Sequence, residues 1–307
     1  MAITLDSGIA LVTGAASGIG KETAFALAQA GVEGVILADL NHSGAESVAQ
    51  DSQKWATHSN FRATAVQVDV SDEAAVNNMV EAAVKEFGRI DYCVHSVGME
   101  SISGAATQHL KIDVYDQTMA VNARGTMLVL RAVSAAMAKQ EPRMHQSARH
   151  GTSRSLGRGS IVVVNSVNGN MVAPGMLSYT ASKHAVVGIA KTAGKPSTKE
   201  PSPHLAKIVR TNVLVLPLLA IDNLKNHIRV NIVAPFHTET AMFEANLKRY
   251  PELGVAIKAM TPLKRAASAE EVADPIVFLC SPAASYTNGA TLIIDSGVTL
   301  TIPRTSL

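Results

Sequence analysis

The chain has 307 residues, 47% of them hydrophobic and 17% charged, with a formal net charge of +2. That composition supplies a large core and excludes global disorder, and the small charge argues against a dedicated nucleic-acid or membrane surface. The length suits one enlarged α/β domain, 1–307, better than two full ones.

No apolar stretch reaches the ~18 residues of a membrane helix. Met1–Ser7 lacks the basic, then apolar, start of a signal peptide. Cys93 and Cys280 lie in apolar runs and read as buried thiols in a reducing compartment. The ten histidines form no ligand-spaced cluster, so no metal site is expected. A soluble, cytoplasmic protein is the expectation.

Ile9–Thr13 reads as a strand running into Gly14-x-x-x-Gly18-Ile19-Gly20 and then into helical Lys21–Ala30. Strand, glycine turn and helix together make a dinucleotide site. The glycines admit the pyrophosphate, and the helix start offers free N–H groups and a positive dipole end. Gly34–Leu40 is a second strand carrying Asp39 near its end. A carboxylate about 20 residues past the glycine turn accepts bonds from an adenosine ribose and repels a 2′-phosphate. Asp39 thus favours NAD(H) and leaves NADP(H) open.

Thr64–Val70 reads as a third strand containing Asp69, with Ser71 as N-cap of a helix through Phe87. Asp91–Gly98 reads as a fourth strand with a glycine exit. The helix around Met119–Leu130 carries Asn122 in its middle, where asparagine is locally unfavourable, so a functional role or a kink is expected.

Ser160–Asn165 is an apolar run that reads as a buried strand with Ser166 at its C-terminal end, where open α/β sheets place ligands. Tyr179 and Lys183 follow on a helical segment, four residues apart and so on one face. A free phenol is a poor base at neutral pH, with a pKa near ~10. A neighbouring ammonium favours the phenolate and should draw that value down.

Taken together and in this order, Thr13-Gly14-x-x-x-Gly18-Ile19-Gly20, Asp69, Asn122, Ser166 and Tyr179-x-x-x-Lys183 resemble the single-domain short-chain dehydrogenase/reductases, from about residue 8 to 300. The resemblance implies a Rossmann-type, doubly wound parallel sheet of about seven strands, with Arg229–Pro235 and Gly289–Gly297 as the last two. It implies a catalytic set of Asn122, Ser166, Tyr179 and Lys183. Tyr179 exchanges the proton, Lys183 holds the nicotinamide ribose, Ser166 orients the substrate oxygen, and Asn122 anchors a water. Gly14, Ser17, Gly18, Ile19 and Gly20 would wrap the cofactor, Asp69 and Val70 flank the adenine, and Thr238 and Thr240 meet the nicotinamide amide. A homodimer or homotetramer is likewise implied.

The sequence departs from that pattern in places. Ser96, within His95–Gly98, replaces an asparagine that steadies the sheet. Phe236 stands where glycine is usual and would crowd the nicotinamide end, and Ser296 replaces another glycine. Residues 141–158 form an extra, arginine-rich segment expected to be a solvated loop. Residues 195–220 are extra too, with Pro196, Pro201 and Pro203 expected to break a helix. Two readings of that stretch stand: an insertion making a lid or subunit contact, or translated non-coding sequence. Its position puts the implied oligomer in doubt. The expected activity is alcohol–ketone interconversion with NAD(P), on an apolar terpenoid or polyketide metabolite; the alternative is a degenerate homologue that binds dinucleotide without turnover.

Overall fold

The computed structural model describes residues 3–300 apart from positions 6, 103–105, 192–222 and 224. In chain order its strands are β1 (Ile9–Thr13), β2 (Gly34–Asp39), β3 (Arg62–Gln67), β4 (Tyr92–His95), β5 (Arg143–Gln146), β6 (Ser153–Gly157), β7 (Gly159–Val164), β8 (Ile228–Pro235) and β9 (Thr291–Ile294). Seven of them pair in parallel in the order β3-β2-β1-β4-β7-β8-β9. The helices are α1 (Gly18–Gln29), α2 (His42–Ser52), α3 (Glu73–Phe87), α4 (Ile112–Met119), α5 (Thr126–Met137), α6 (Leu177–Lys191), α7 (Ala241–Arg249), α8 (Glu252–Met260) and α9 (Ala269–Cys280).

The inner strands are apolar along their whole length because both faces of the sheet are covered. Side chains alternate across the sheet, so β1 feeds two cores. Ala10 and Val12 pack with Leu27 of α1, Val48 of α2 and Ile276 of α9. Ile9 and Leu11 pack on the other side with Met79 of α3, Leu130 of α5 and Val186 of α6. Each fully buried Leu or Ile stabilises this arrangement by roughly 1.5–3 kcal/mol. Cys93 and Cys280 are free and buried, one in each core, and burial pushes the Cys280 thiol up to about 12.

Strand order reverses between β1 and β4, so the connections leave their C-terminal ends in opposite directions and open a cleft there. Every functional segment inferred from the sequence reaches this edge.

Several local expectations change. The third strand stops at Gln67, and Asp69 lies in the turn beyond it, accepting from the Ser71 N–H at 2.9 Å and its hydroxyl at 2.7 Å. With Ser71 bonded to Asp69, the cap of α3 is Asp72, whose carboxylate accepts from the Ala75 N–H at 2.9 Å. The expected helix around Asn122 is not continuous: Ala120–Gly125 is a π-helical turn between α4 and α5.

Residues 141–158 are not a loop throughout: β5 and β6 form an antiparallel hairpin at the N-terminal edge of the sheet, with an exposed tip at 148–152, and three of the segment's four arginines bind the protein. Arg143 donates to the Tyr92 hydroxyl at 2.6 Å, Arg154 to the Pro282 carbonyl at 3.0 Å and Arg158 to the Gln140 carbonyl at 2.7 Å. Charge read as solvation is used for anchoring. The expected helix break in 195–220 lies outside the described residues. Among those described, no helix is long and apolar enough to cross a membrane.

Candidate active site

The cleft holds about 340 Å³ and is walled by the glycine turn, the ends of β2 and β4, the start of α7 and the helix carrying Tyr179. Gly14 takes φ +70° and Gly18 φ +54°, conformations that side-chain-bearing residues rarely adopt. A Cβ at Gly14 would lie 2.8 Å from the Ser96 carbonyl oxygen, and one at Gly20 would run into the Gly14 carbonyl. The turn is thus packed backbone to backbone, which leaves a cradle beside the first amides of α1 with Ser17 as the N-cap residue. Such a cradle fits a pyrophosphate. Gly20→Ala is expected to lose at least about 2 kcal/mol of stability from overpacking and to abolish dinucleotide binding. Thermal unfolding with and without cofactor checks both.

Of the expected cofactor residues, Gly14, Ser17, Gly18, Ile19, Asp39, Asp69, Val70, Tyr179, Lys183 and Thr240 line the cleft. Asp39 is held in place by accepting from the Ala16 N–H at 3.0 Å and the Asn41 N–H at 2.9 Å. Thr240 caps α7 by accepting from the Phe243 N–H at 3.2 Å and sits against Gly18. Gly20, Asn122, Ser166 and Thr238 lie behind the wall. Thr238 is buried, donating to the Phe236 carbonyl at 3.3 Å. The Phe236 ring is edge-on to His237 with centroids 4.5 Å apart, and Phe236 lines a neighbouring pocket and not the cleft. Ser296 does occupy a glycine-like conformation, at φ +56°.

Tyr179 and Lys183 project from one face of α6, with the ammonium 5.5 Å from the phenol ring centroid. The expected lowering of the phenol pKa is not what this geometry produces. Burial pushes Tyr179 well above the usual range, against the opposing hydrogen bond with Ser166, and the Glu100 carboxylate raises it further. Lys183 is only 4% exposed, and burial lowers it to about 8 while Glu100 holds it up. Desolvation outweighs attraction here because the ammonium lies over the ring face, and both groups lose hydration together. Ser166, at the end of β7, is 9% exposed and accepts from the Asn168 N–H at 3.2 Å.

Asn122 is 1% exposed, and its side chain is spent on protein. It accepts from the Met99 N–H at 2.8 Å and donates to the Met99 carbonyl at 2.8 Å and the Ser182 hydroxyl at 2.9 Å. The π turn thereby ties the exit of β4 to α6, a local distortion of a kind frequent at functional sites. Gly98 packs tightly against the site, since a Cβ there would lie 3.3 Å from the Lys183 ammonium.

Three residues were missed by the sequence reading. Asn165 donates to the Lys183 carbonyl at 3.2 Å, fixing the strand end that bears Ser166 against α6. Glu100 stands within electrostatic reach of both Tyr179 and Lys183. His95 is fully buried, with Nδ1 2.8 Å from the Thr13 hydroxyl and Nε2 3.1 Å from the Thr126 hydroxyl. Thr126 donates its own proton to the Asn122 carbonyl at 2.6 Å, so Nε2 carries the histidine proton and Nδ1 accepts from Thr13. His95, not Ser96, does the steadying. A histidine or carboxylate at the exit of an apolar strand was the available signal.

Residues 8–201 match the family model described as short chain dehydrogenase. The chain belongs to the short-chain dehydrogenase/reductase family. Residues 215–299 match the model described as enoyl-(acyl carrier protein) reductase. Short-chain dehydrogenase srdC of Neurospora crassa is 40% identical over 294 residues, covering 96% of this chain and 97% of that protein. D-threitol dehydrogenase of Mycolicibacterium smegmatis is 33% identical, covering 96% and 94%. The crystal structure of levodione reductase superposes with a TM-score of 0.78 at 28% identity, covering 97% of this chain and all of that one. This short-chain dehydrogenase/reductase is accordingly an NAD(P)-dependent oxidoreductase acting on CH–OH groups.

Proposed function

We propose that the protein interconverts a secondary alcohol and a ketone at Tyr179, with NAD(H) preferred over NADP(H), on an apolar terpenoid or polyketide metabolite. The observation that carries this reading is the Tyr179–Ser166–Lys183 group, with Tyr179 and Lys183 opening onto the cleft whose opposite end is Asp39. The residues present fit a dinucleotide: a glycine cradle for pyrophosphate, an anchored carboxylate for the adenosine ribose and a buried lysine for the second ribose. Bound there, a nicotinamide supplies or accepts the hydride.

The chain's own residues handle the proton. Burial keeps the Tyr179 phenol neutral, the state that donates to a carbonyl oxygen during reduction. The Ser166 hydroxyl, bonded to that phenol, directs the same oxygen toward it. Lys183 places positive charge beside the phenol as its proton leaves, and its own carbonyl is pinned by Asn165. Val97, Val121 and Met242 give the cleft an apolar wall.

Titration with NADH and NADPH, followed by nicotinamide fluorescence, tests the reading. NADH is expected to bind at least about tenfold tighter, equivalent to about 1.4 kcal/mol. NADPH binding tighter would overturn the role of Asp39; failure to bind either would overturn the enzymatic reading itself.

A further inference from the structure

Lys183 is 4% exposed, and among the described residues its ammonium has no direct ion-pair partner. A buried cation keeps its proton at alkaline pH only with a counter-charge nearby. The segment leaving β4 runs directly past it: a Cβ on Gly98 would lie 3.3 Å from the Lys183 Nζ, and Glu100 is two residues further on. That segment is held on both sides of Glu100. Asn122 bonds the N–H and the carbonyl of Met99, each at 2.8 Å, and also the hydroxyl of Ser182, the residue before Lys183, at 2.9 Å. On the other side, the Glu100 Oε2 accepts from Nδ2 of Asn246 on α7. The Asn246 bond and the Lys183 charge favour the ionised carboxylate, against the effect of its partial burial.

Other charged groups around the lysine are silent or turned elsewhere. His95 on β4 is depressed to about 3 and so is neutral near Lys183. On the elements packed against α6, Asp113 and Asp116 of α4 and Arg124 of the π turn are exposed, with Tyr115 of α4 half-buried. Arg131 of α5 pairs with Glu73, and Arg229 of β8 donates to the carbonyls of Leu279 and Cys280. On α7, which packs against Glu100, Glu244, Lys248 and Arg249 are exposed. Glu100 is the acid whose charge reaches Lys183.

Resting on the oxidoreductase reading above, we propose that Glu100 is a positioning residue of the reaction, a counter-charge that keeps Lys183 protonated beside the phenol and sets the alkaline limit of activity. It does not line the cleft and acts through the lysine. The direction follows from charge. Burial lowers Lys183 to about 8 while Glu100 holds it up, so withdrawing the carboxylate charge lets the ammonium lose its proton at lower pH. Tyr179 responds in the same sense, since Glu100 raises it. The limit therefore moves downward whichever of the two groups governs it. Tyr179 is pushed well above Lys183, so the lysine titrates first.

The test is the pH dependence of kcat/KM for NADH-driven reduction of cyclohexanone and 2-decalone, with NADH affinity followed by fluorescence over the same range. Wild type is compared with Glu100→Asp, Glu100→Gln and Glu100→Lys. Wild type should lose activity above a midpoint near pH 8. Glu100→Gln keeps the shape and an acceptor for Asn246 but not the charge. Its midpoint should fall by about 0.5–1 unit, the effect of one charge across a partly wet wall, with about 3–10-fold less activity on the alkaline side and little change in acid. Glu100→Lys should fall further, and Glu100→Asp, which keeps the charge, should stay near wild type. A purely structural role gives the reverse order, with Gln tolerated and Asp damaging at every pH. That order, unmoved midpoints, or a loss uniform with pH would overturn the proposal and leave the oxidoreductase reading intact. If wild type binds NADH but reduces neither ketone, the alcohol–ketone reading is weakened and the alkaline fall of NADH affinity becomes the readout. Midpoints ordered by charge at residue 100 would then still uphold the role of Glu100, and coincident midpoints would overturn it.

Discussion

Tyr179→Phe is expected to lower kcat by about 10²–10⁴-fold, a barrier increase of roughly 3–5 kcal/mol, with NADH affinity unchanged within about twofold. The phenol oxygen is the group on this wall that both bonds Ser166 and meets the cleft, so no neighbour replaces its proton. The ring stays, and with it the packing against Lys183 at 5.5 Å. Single-turnover kinetics alongside fluorescence titration separates the two quantities. Turnover within tenfold of wild type would remove Tyr179 from the chemistry. A parallel loss of NADH binding would mean that the hydroxyl holds the cleft together instead.

The second large effect is on stability in acid. Burial and the Lys183 charge depress the His95 imidazole to about 3, against an ordinary value near 6.5. Between those values the unfolded chain binds a proton at His95 and the native chain does not. His95 therefore contributes stability that is complete above pH 6.5 and is lost as the pH falls toward 3. The depression is worth about 5 kcal/mol over the whole window, comparable with the net stability of many domains. His95→Asn should thus show a shallower fall of unfolding free energy between pH 6.5 and 4 than wild type, whatever its stability at neutral pH. Denaturant unfolding at several pH values measures both slopes, and carboxylates common to the two proteins cancel. Parallel curves would show that His95 titrates normally. The physical cause is structural: the ring is fully buried, so an imidazolium there loses its hydration, and the Lys183 charge opposes it further.

Much of the cofactor end of the site was legible because its chemistry is local. Gly14, Gly18 and Gly20 lie on one turn, and Asp39 closes the strand paired directly with β1. Tyr179 and Lys183 are one helical turn apart, so spacing alone brings their side chains together. Thr238 and Thr240 show the limit of that logic. They are two residues apart, but one caps a helix at the cleft and the other is buried beneath Phe236.

The sequence by itself determined the glycine cradle and the pairing of Tyr179 with Lys183, since each follows from contacts within a few residues, while the parallel sheet was legible through the family resemblance. Tertiary structure alone decided the protonation of that pair, the burial of His95 between Thr13 and Thr126, and the approach of Glu100 to Asn246. Those outcomes depend on how much water is excluded and on which distant segments meet. Neither is encoded in any single stretch of chain, because desolvation is a property of everything packed around a group.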